Sequence, residues 1–181
     1  MIVDQGPPPW LSRPVATGRL TLRAGRNTPE DREAIIELLT DREARRYLGG
    51  PLTDQDARAA VSGPAGQRWG SFLVVERHEH LLGVTGTEAV VGTCSLTRDR
   101  GELEISYVLM PRYWGRGLAR EAVAGVMTWA GENVDDSHVI AVTQVANTRS
   151  LQLLQRLGFT EGERFVEYDA AQVLCRAPLP R

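Results

Sequence analysis

The chain of 181 residues contains no lysine, so all 21 of its basic residues are arginine. That absence excludes the Gly-Lys-Ser/Thr ending on which a P-loop depends, and it leaves every phosphate contact to guanidinium or backbone N–H groups. Cysteine is nearly absent. Cys94 and Cys175 have no metal-ligand spacing and no adjacent histidine, so buried free thiols in a reducing cytosol are expected. No stretch reaches the 18 or so successive apolar residues of a membrane span, and the first 16 residues have no cationic region followed by an apolar one, so they are not a signal peptide. Charge of either sign is in short excess. A formal net charge of −2 gives no pull toward nucleic acid or an anionic membrane.

What remains is ordinary for one globular domain, with 42% hydrophobic and 24% charged residues and no internal repeat or low-complexity tract. Residues 1–16, with Pro7-Pro8-Pro9, are expected to be a flexible tail, and 17–181 the single domain. Leu20 to Arg23 is a short strand. Thr28-Pro29-Glu30-Asp31 combines an N-cap, a proline at the first helical position and first-turn acids, predicting a helix to about Leu39. Arg42 to Tyr47 forms a further turn, and Thr53-Asp54-Gln55-Asp56 caps a second helix. Gly63-Pro64-Ala65-Gly66 breaks the chain before a uniformly apolar strand from Ser71 to Arg77. Leu81-Leu82-Gly83-Val84 fits a short strand or an apolar loop. Ala89 to Thr97 is a further strand, and Asp99-Arg100-Gly101 a turn. Phe165 to Tyr168 and Gln172 to Arg176 fit an antiparallel hairpin.

The densest signal lies between Leu103 and Ala130. Leu103, Ile105, Tyr107 and Leu109 alternate with Glu104, Ser106 and Val108, the period of a strand, and Pro111 ends it. From Leu118 the apolar residues Leu118, Ala119, Ala122, Val123, Val126, Met127 and Ala130 share one helical face, predicting about three and a half turns. Gly115 and Gly117 occupy the junction. Glycines there let the chain turn sharply and let an anion approach N–H groups that have no intrahelical partner, at the positive end of the helix dipole. An ordinary strand-to-helix turn fits the same local pattern. A dinucleotide fingerprint is disfavoured, because the loop lies past the middle of the chain and lacks the third glycine. The next strand, Val139 to Val145, leads through Ala146-Asn147-Thr148-Arg149-Ser150 into a short helix closing at Leu157-Gly158-Phe159.

These segments together resemble the GNAT superfamily of N-acetyltransferases. Trp114-Gly115-Arg116-Gly117-Leu118-Ala119 is similar to its pyrophosphate loop, with Trp114 standing where a glutamine or arginine is usual. The Tyr-Trp-Gly-x-Gly-x-Ala form, preceded by Thr17-Gly18-Arg19-Leu20-Thr21-Leu22-Arg23, resembles the branch of ribosomal-protein N-terminal acetyltransferases. Asn147-x-x-Ser150 and Gly158-Phe159 match as well, and the likeness runs from Thr17 to Pro178.

The resemblance implies an α/β (α+β) GNAT fold: a mixed, mostly antiparallel sheet of about seven strands, splayed in the middle, with helices on both faces, the early helices roofing the acceptor site. It implies acetyl-CoA as cosubstrate, no metal, an amine acceptor that is a small molecule or a protein N-terminus, cytoplasmic location and a possible homodimer. Cofactor binding is expected from Val108, Leu109, Trp114, Gly115, Arg116, Gly117, Leu118, Ala119 and Asn147. The amides around Val108 and Leu109 would polarise the thioester carbonyl, and Asn147 would bridge to the pantetheine arm or simply cap the helix. Tyr113 and Trp114 pack under the loop or anchor the turn. Glu104 is the expected general base, against water or a merely solvated carboxylate.

Ser150 is the expected acid or hydrogen-bond donor to the thiolate, against a helix-start hydroxyl, because Leu154 stands where many superfamily members carry a tyrosine. Glu37, Asp41 and Glu43 would attract a cationic acceptor or form a solvated face. His78, His80 and His138 are assigned no role. Two rivals stay open: a non-catalytic acyl-CoA-binding module, and a nucleotide-phosphate protein of another class.

Overall fold

The computed structural model describes residues 10–11, 13–63, 66–77 and 88–181. Pro7-Pro8-Pro9, the Pro64-Ala65 break, His78, His80 and the Leu81 to Val84 segment lie outside them. The described elements run β1 (Val15–Ala16), β2 (Leu20–Arg23), α1 (Pro29–Thr40), α2 (Asp54–Ala60), β3 (Ser71–Arg77), β4 (Glu88–Asp99), β5 (Glu102–Leu109), a 3₁₀ turn (Pro111–Tyr113), α3 (Leu118–Asn133), β6 (His138–Gln144), α4 (Thr148–Arg156), β7 (Thr160–Glu167) and β8 (Ala170–Pro178). One eight-stranded sheet has the order β1-β2-β3-β4-β5-β6-β8-β7, and its pairings are antiparallel except β5 with β6.

The expected mixed sheet with helices on both faces is present, with one strand more than expected. The extra strand is β1, where Val15 and Ala16 pair with Leu22 and Thr21. Two residues are too few to show a period. Just before it, Trp10 and Leu11, assigned to the tail from the sequence, belong to the core: Leu11 is buried, and the Trp10 ring meets Phe72 and Trp129 edge-on at centroid distances of 5.1 and 5.7 Å. The β7 strand also starts at Thr160 rather than near Phe165. It is the outer strand, its first half is polar and exposed, and a register shift between Glu161 and Arg164 breaks the alternation that would have marked it. α3 runs past Ala130 to Asn133, where Val134 N–H bonds the Ala130 carbonyl.

Amphipathic spacing decides which face each helix covers. Leu118, Ala122, Val123, Val126, Met127 and Ala130 of α3 join Leu20, Leu22, Phe72, Val74, Leu96, Leu103 and Ile105 in the main core, and Leu154 of α4 joins the same cluster. α1 lies against β4, and α1 and α2 close around a separate cluster of Ile36, Ala57 and Val61. The uniformly apolar β3 is buried on both faces between the two layers, as its composition predicts.

The start of α1 is pinned by a buried ion pair. Thr28 caps the helix through Asp31 N–H, and Asp31 accepts two guanidinium bonds from Arg23 of β2, each 2.8 Å, plus one from Arg26 N–H at 2.7 Å. Burial alone would raise the Asp31 pKa; the hydrogen bonds and charge of Arg23, with the Arg26 amide, override it and hold the carboxyl below 3.8. Because the folded-state pKa lies below the unfolded one, the stabilisation is fully present above that unfolded value and is lost as pH falls through the folded one. Asp31→Asn removes the buried charge that balances Arg23 and leaves it only the more exposed Glu88 at 4.0 Å, so it is expected to cost about 3 kcal/mol in urea unfolding at neutral pH, with the gap to wild type closing under strongly acid conditions. A gap that is unchanged at acid pH contradicts this account.

Candidate active site

β5 and β6 pair at one position, Glu104 opposite Ile140, and then diverge. Ladder parity says which backbone groups line the opening. Met110 N–H bonds Val91 O at 3.0 Å, and an antiparallel ladder bonds alternate residues, so Val108, Ser106 and Glu104 turn their amides to β4 while Tyr107 and Leu109 turn theirs toward β6. On the other side Leu179 N–H bonds Ser137 O, so Val142 and Gln144 face β5. The expectation for Val108 is therefore corrected: its N–H is directed at β4 opposite Thr93, and Tyr107 takes its place beside Leu109 at the opening. The Leu109 carbonyl accepts the Trp114 indole N–H at 2.7 Å.

At the mouth of this fork the chain turns through Gly115 (φ 74°) and Gly117 (φ 77°). An L side chain at either would cost about 1–2 kcal/mol in that left-handed conformation. Gly117 is the N-cap of α3, and that helix start has no side-chain cap. The first amides of α3 have no intrahelical partner and lie at the positive end of the helix dipole, an arrangement chemically suited to an anion.

The loop side chains hold the turn from beneath. Arg116, expected at the cofactor, pairs two of its five guanidinium N–H groups with Glu76 of β3 at 3.0 and 2.5 Å, which ties the loop to the sheet. Leu118 is 1% exposed and anchors the helix in the core, and Ala119 is half-buried against it. Trp114 anchors the turn, and the Arg149 guanidinium of α4 sits 4.7 Å from its ring centroid. Arg19 donates Nη1–H to Arg116 O at 2.9 Å and Nε–H to Glu121 at 2.8 Å, while Arg19 N–H and the Thr17 hydroxyl each donate to Glu121 at 2.6 Å. Burial would raise the Glu121 pKa, but these donors lower it overall, so the carboxylate is neutralised beside the anion site.

Three groups able to move or hold protons gather at the fork. Glu104 stands at the last paired position, half-buried, on the strand face opposite Ile105 and Tyr107. Ser150, in the first turn of α4, has its Oγ 2.7 Å from the Tyr107 hydroxyl. Burial pushes the Tyr107 phenol up to about 12, against the opposing effect of the Ser150 hydrogen bond. Asn147 caps α4 by accepting Ser150 N–H on Oδ1 at 3.3 Å. Leu154 is buried in the core.

Of the acidic residues Glu37, Asp41 and Glu43, the first is paired with a cation. Glu37 pairs with Arg112, and Asp41 Oδ1 accepts the amides of Glu43 and Ala44 at 2.9 and 2.7 Å. Gln144 Nε2–H reaches Tyr47 O at 3.3 Å and ties the turn after α1 to the fork. Both cysteines are buried with raised pKa values, led by desolvation, and so are inert thiols. His138 is exposed beside Ser137. Among the described residues no group of three or more His, Cys, Asp or Glu side chains can hold a metal ion.

Sequence reading missed Tyr107, Glu76 and Arg149 as site residues. Their partners are far away in the chain, Tyr107 and Ser150 being 43 residues apart and Glu76 and Arg116 40 apart. Only the alternation of β5 carried a signal, and it marked Tyr107 as apolar core.

Comparison with known proteins agrees with this geometry. A family model described as Acetyltransferase (GNAT) domain matches residues 19–160. The uncharacterized N-acetyltransferase p20 of Bacillus licheniformis is 28% identical over 160 residues, 86% of this chain and 87% of its own length. A GNAT-family acetyltransferase structure from Bacillus anthracis superposes with a TM-score of 0.75 at 23% identity, covering 92% of this chain and 98% of that one. Two further structures share the fold at TM-scores of 0.71 and 0.69: a Vibrio cholerae spermidine N-acetyltransferase in complex with CoA and spermine, at 17% identity, 90% of this chain and 97% of that one, and a Salmonella typhimurium enzyme that modifies the N-terminal serine of a 50S ribosomal subunit protein, at 16% identity, 93% of this chain and 100% of that one. The chain therefore belongs to the GNAT acetyltransferase family and is an acetyl-CoA-dependent N-acetyltransferase.

The Arg116–Glu76 pair is asymmetric, with side-chain exposures of 45% and 6%. Arg116→Ala strands a buried carboxylate, whereas Glu76→Gln keeps a buried hydrogen-bonding group against an exposed arginine. Urea unfolding is expected to show a loss of about 1–3 kcal/mol for the first and under about 1 kcal/mol for the second. Equal losses contradict the assignment of the pair as the loop's support.

Proposed function

We propose that this enzyme moves the acetyl group of acetyl-CoA onto a primary amine by direct attack within a ternary complex. The observation that carries the reading is the fork that opens beyond Glu104 and Ile140 with the uncapped start of α3 at its mouth. A diphosphate fits the amides around Gly115 to Ala119, and an extended amide-bearing arm fits the strand edges at Tyr107, Leu109 and Val142 as an added strand. Leu109 N–H is then the donor to the thioester carbonyl, and Asn147, whose Oδ1 caps α4, offers Nδ2–H to the arm. Arg149 adds positive charge beside Trp114.

Glu104 takes the ammonium or tetrahedral-stage proton, directly or through one water, from the sheet face that α1 and α2 cover. Ser150 faces the sulfur. The reading needs no covalent acetyl-enzyme, since both described cysteines are buried with raised pKa values. The acceptor belongs to the amine class spanned by the structural neighbours, a polyamine or a protein N-terminus. Of the acids on the early helices, Glu37 is balanced by Arg112, whereas Asp41 and Glu43 keep their negative charge and suit a cationic amine.

Gly117→Val places a β-branched residue in left-handed backbone at the cradle and is expected to weaken acetyl-CoA binding by at least about tenfold, or 1.4 kcal/mol, measured by calorimetry. Unchanged affinity contradicts the cradle. Glu104→Gln is expected to lower kcat by about 10²–10⁴ while leaving acetyl-CoA affinity within about twofold. A wild-type pH–rate profile without an acid limb assigns the base to water instead. Acetyl-CoA binding without thiol release for any amine in a panel would make the protein an acyl-CoA-binding module.

A further inference from the structure

We propose that Tyr107 is a positioning residue for the leaving group: its phenol donates to Ser150 Oγ and so aims the Ser150 proton into the fork, at the sulfur. The inference rests on the acetyl-transfer reading above and adds to it a residue that acts on the thiolate through another.

The relative acidity of the two hydroxyls gives the direction. Tyr107 OH and Ser150 Oγ are 2.7 Å apart, and each group has one proton. A phenol is the stronger donor and the poorer acceptor, so the Tyr107 proton lies toward Ser150. Ser150 N–H is already spent on Asn147, and α4 holds the residue in its first turn beside the opening between β5 and β6. With its oxygen accepting from Tyr107, the serine has its own O–H left for a third atom.

The surroundings keep the phenol protonated. Burial pushes its ionisation up to about 12. Cys94, cross-strand from Tyr107 on β4, and Cys175 on β8 are the other titratable groups it senses, and both are buried thiols with raised pKa values that carry no charge at neutral pH. Arg149, next to Ser150 in sequence, sits over Trp114, and Glu104 lies on the opposite face of β5.

The chemistry balances without ionising the tyrosine. The C–S bond breaks with its electron pair going to sulfur. The amine's proton leaves through Glu104 or water. A thiol of pKa about 8.5 cannot take a proton downhill from a phenol near 12, so the pair stabilises the thiolate by hydrogen bonding and the sulfur is protonated from solvent on release. Charge-assisted hydrogen bonds of this kind are shorter and stronger than neutral ones.

The test is a titration of the thiol of coenzyme A bound to the full chain, followed by thiolate absorbance, in wild type, Tyr107→Phe, Ser150→Ala and the double variant. The bound thiol is expected to titrate below free coenzyme A, and Tyr107→Phe to raise it by at least about half a unit. The double variant should match Ser150→Ala alone. Desulfo-coenzyme A should bind all four proteins within about twofold, and kcat for amine acetylation should fall about three- to tenfold in Tyr107→Phe with KM for acetyl-CoA unchanged. Coenzyme A that binds with the same thiol titration in wild type and Tyr107→Phe overturns the inference alone, as does a Tyr107→Phe effect that persists in full on the Ser150→Ala background. Wild-type protein that fails to bind coenzyme A overturns the acetyl-transfer reading and this one with it.

Discussion

A parallel strand pair that lasts for a single position leaves two ribbons of backbone donors and acceptors facing each other across a widening gap. Buried polar backbone must find partners, in the chain or in a ligand. Glu104 and Ile140 make that single contact, and from there the ladders to β4 and β8 hold β5 and β6 apart. The sheet thus has its full register on both sides of the opening and none across it. Every functional group described here takes its position from that geometry: Leu109 and Tyr107 on one lip, Val142 on the other, the α3 start at the mouth and the α4 start alongside.

Two stretches that resemble the family, one near the start of the chain and one past its middle, turn out to be one mechanical unit. Thr17 and Arg19 grip Glu121 in the first turn of α3, and Arg19 also holds the Arg116 carbonyl. From β3, Glu76 takes the Arg116 guanidinium, and Arg77 donates to the carbonyls of Thr17 and Gly18 at 2.5 and 2.9 Å. Arg19 and Arg116 are therefore engaged by carboxylates and a carbonyl, while Arg149 over Trp114 and the exposed Arg120 in the first turn of α3 add positive charge beside the loop. The backbone N–H groups of the turn have positions fixed by covalent geometry rather than by side-chain rotamers. A diphosphate held that way is held in register with the fork.

How much of this was legible in the sequence depended on the range of the interaction. α1, α2, β3, β5 and the glycine turn follow from caps, periods and glycine placement within a dozen residues, and the structure reproduces them to within a few positions. β1 and the first half of β7 were missed because a two-residue strand has no period and an outer, bulged, polar strand has the wrong one. The loop and strand patterns put Gly115, Gly117 and Leu109, and the family resemblance Glu104 and Ser150, in the elements that border the fork. Val108 was misassigned because alternation of side chains is visible in sequence, whereas the direction of an amide depends on which neighbour the strand pairs with. Tyr107 looked like core for a related reason: it does share the apolar face, and only its oxygen reaches a polar partner.

That double character has a physical consequence for the fork. A tyrosine on the apolar face of β5 contributes its ring to the core and its hydroxyl to Ser150 at the start of α4. A phenylalanine there would keep the packing but leave the serine hydroxyl to choose its own direction. A serine hydroxyl alone rotates readily between the Asn147 side of the cap and the opening. A donor that is uncharged and held by a strand rather than by a loop fixes it, and Tyr107, partly buried on β5, meets both conditions, while the buried thiols Cys94 and Cys175 are weaker donors. The same interrupted ladder that makes room for the substrate therefore also supplies the residue that orients the hydroxyl facing it.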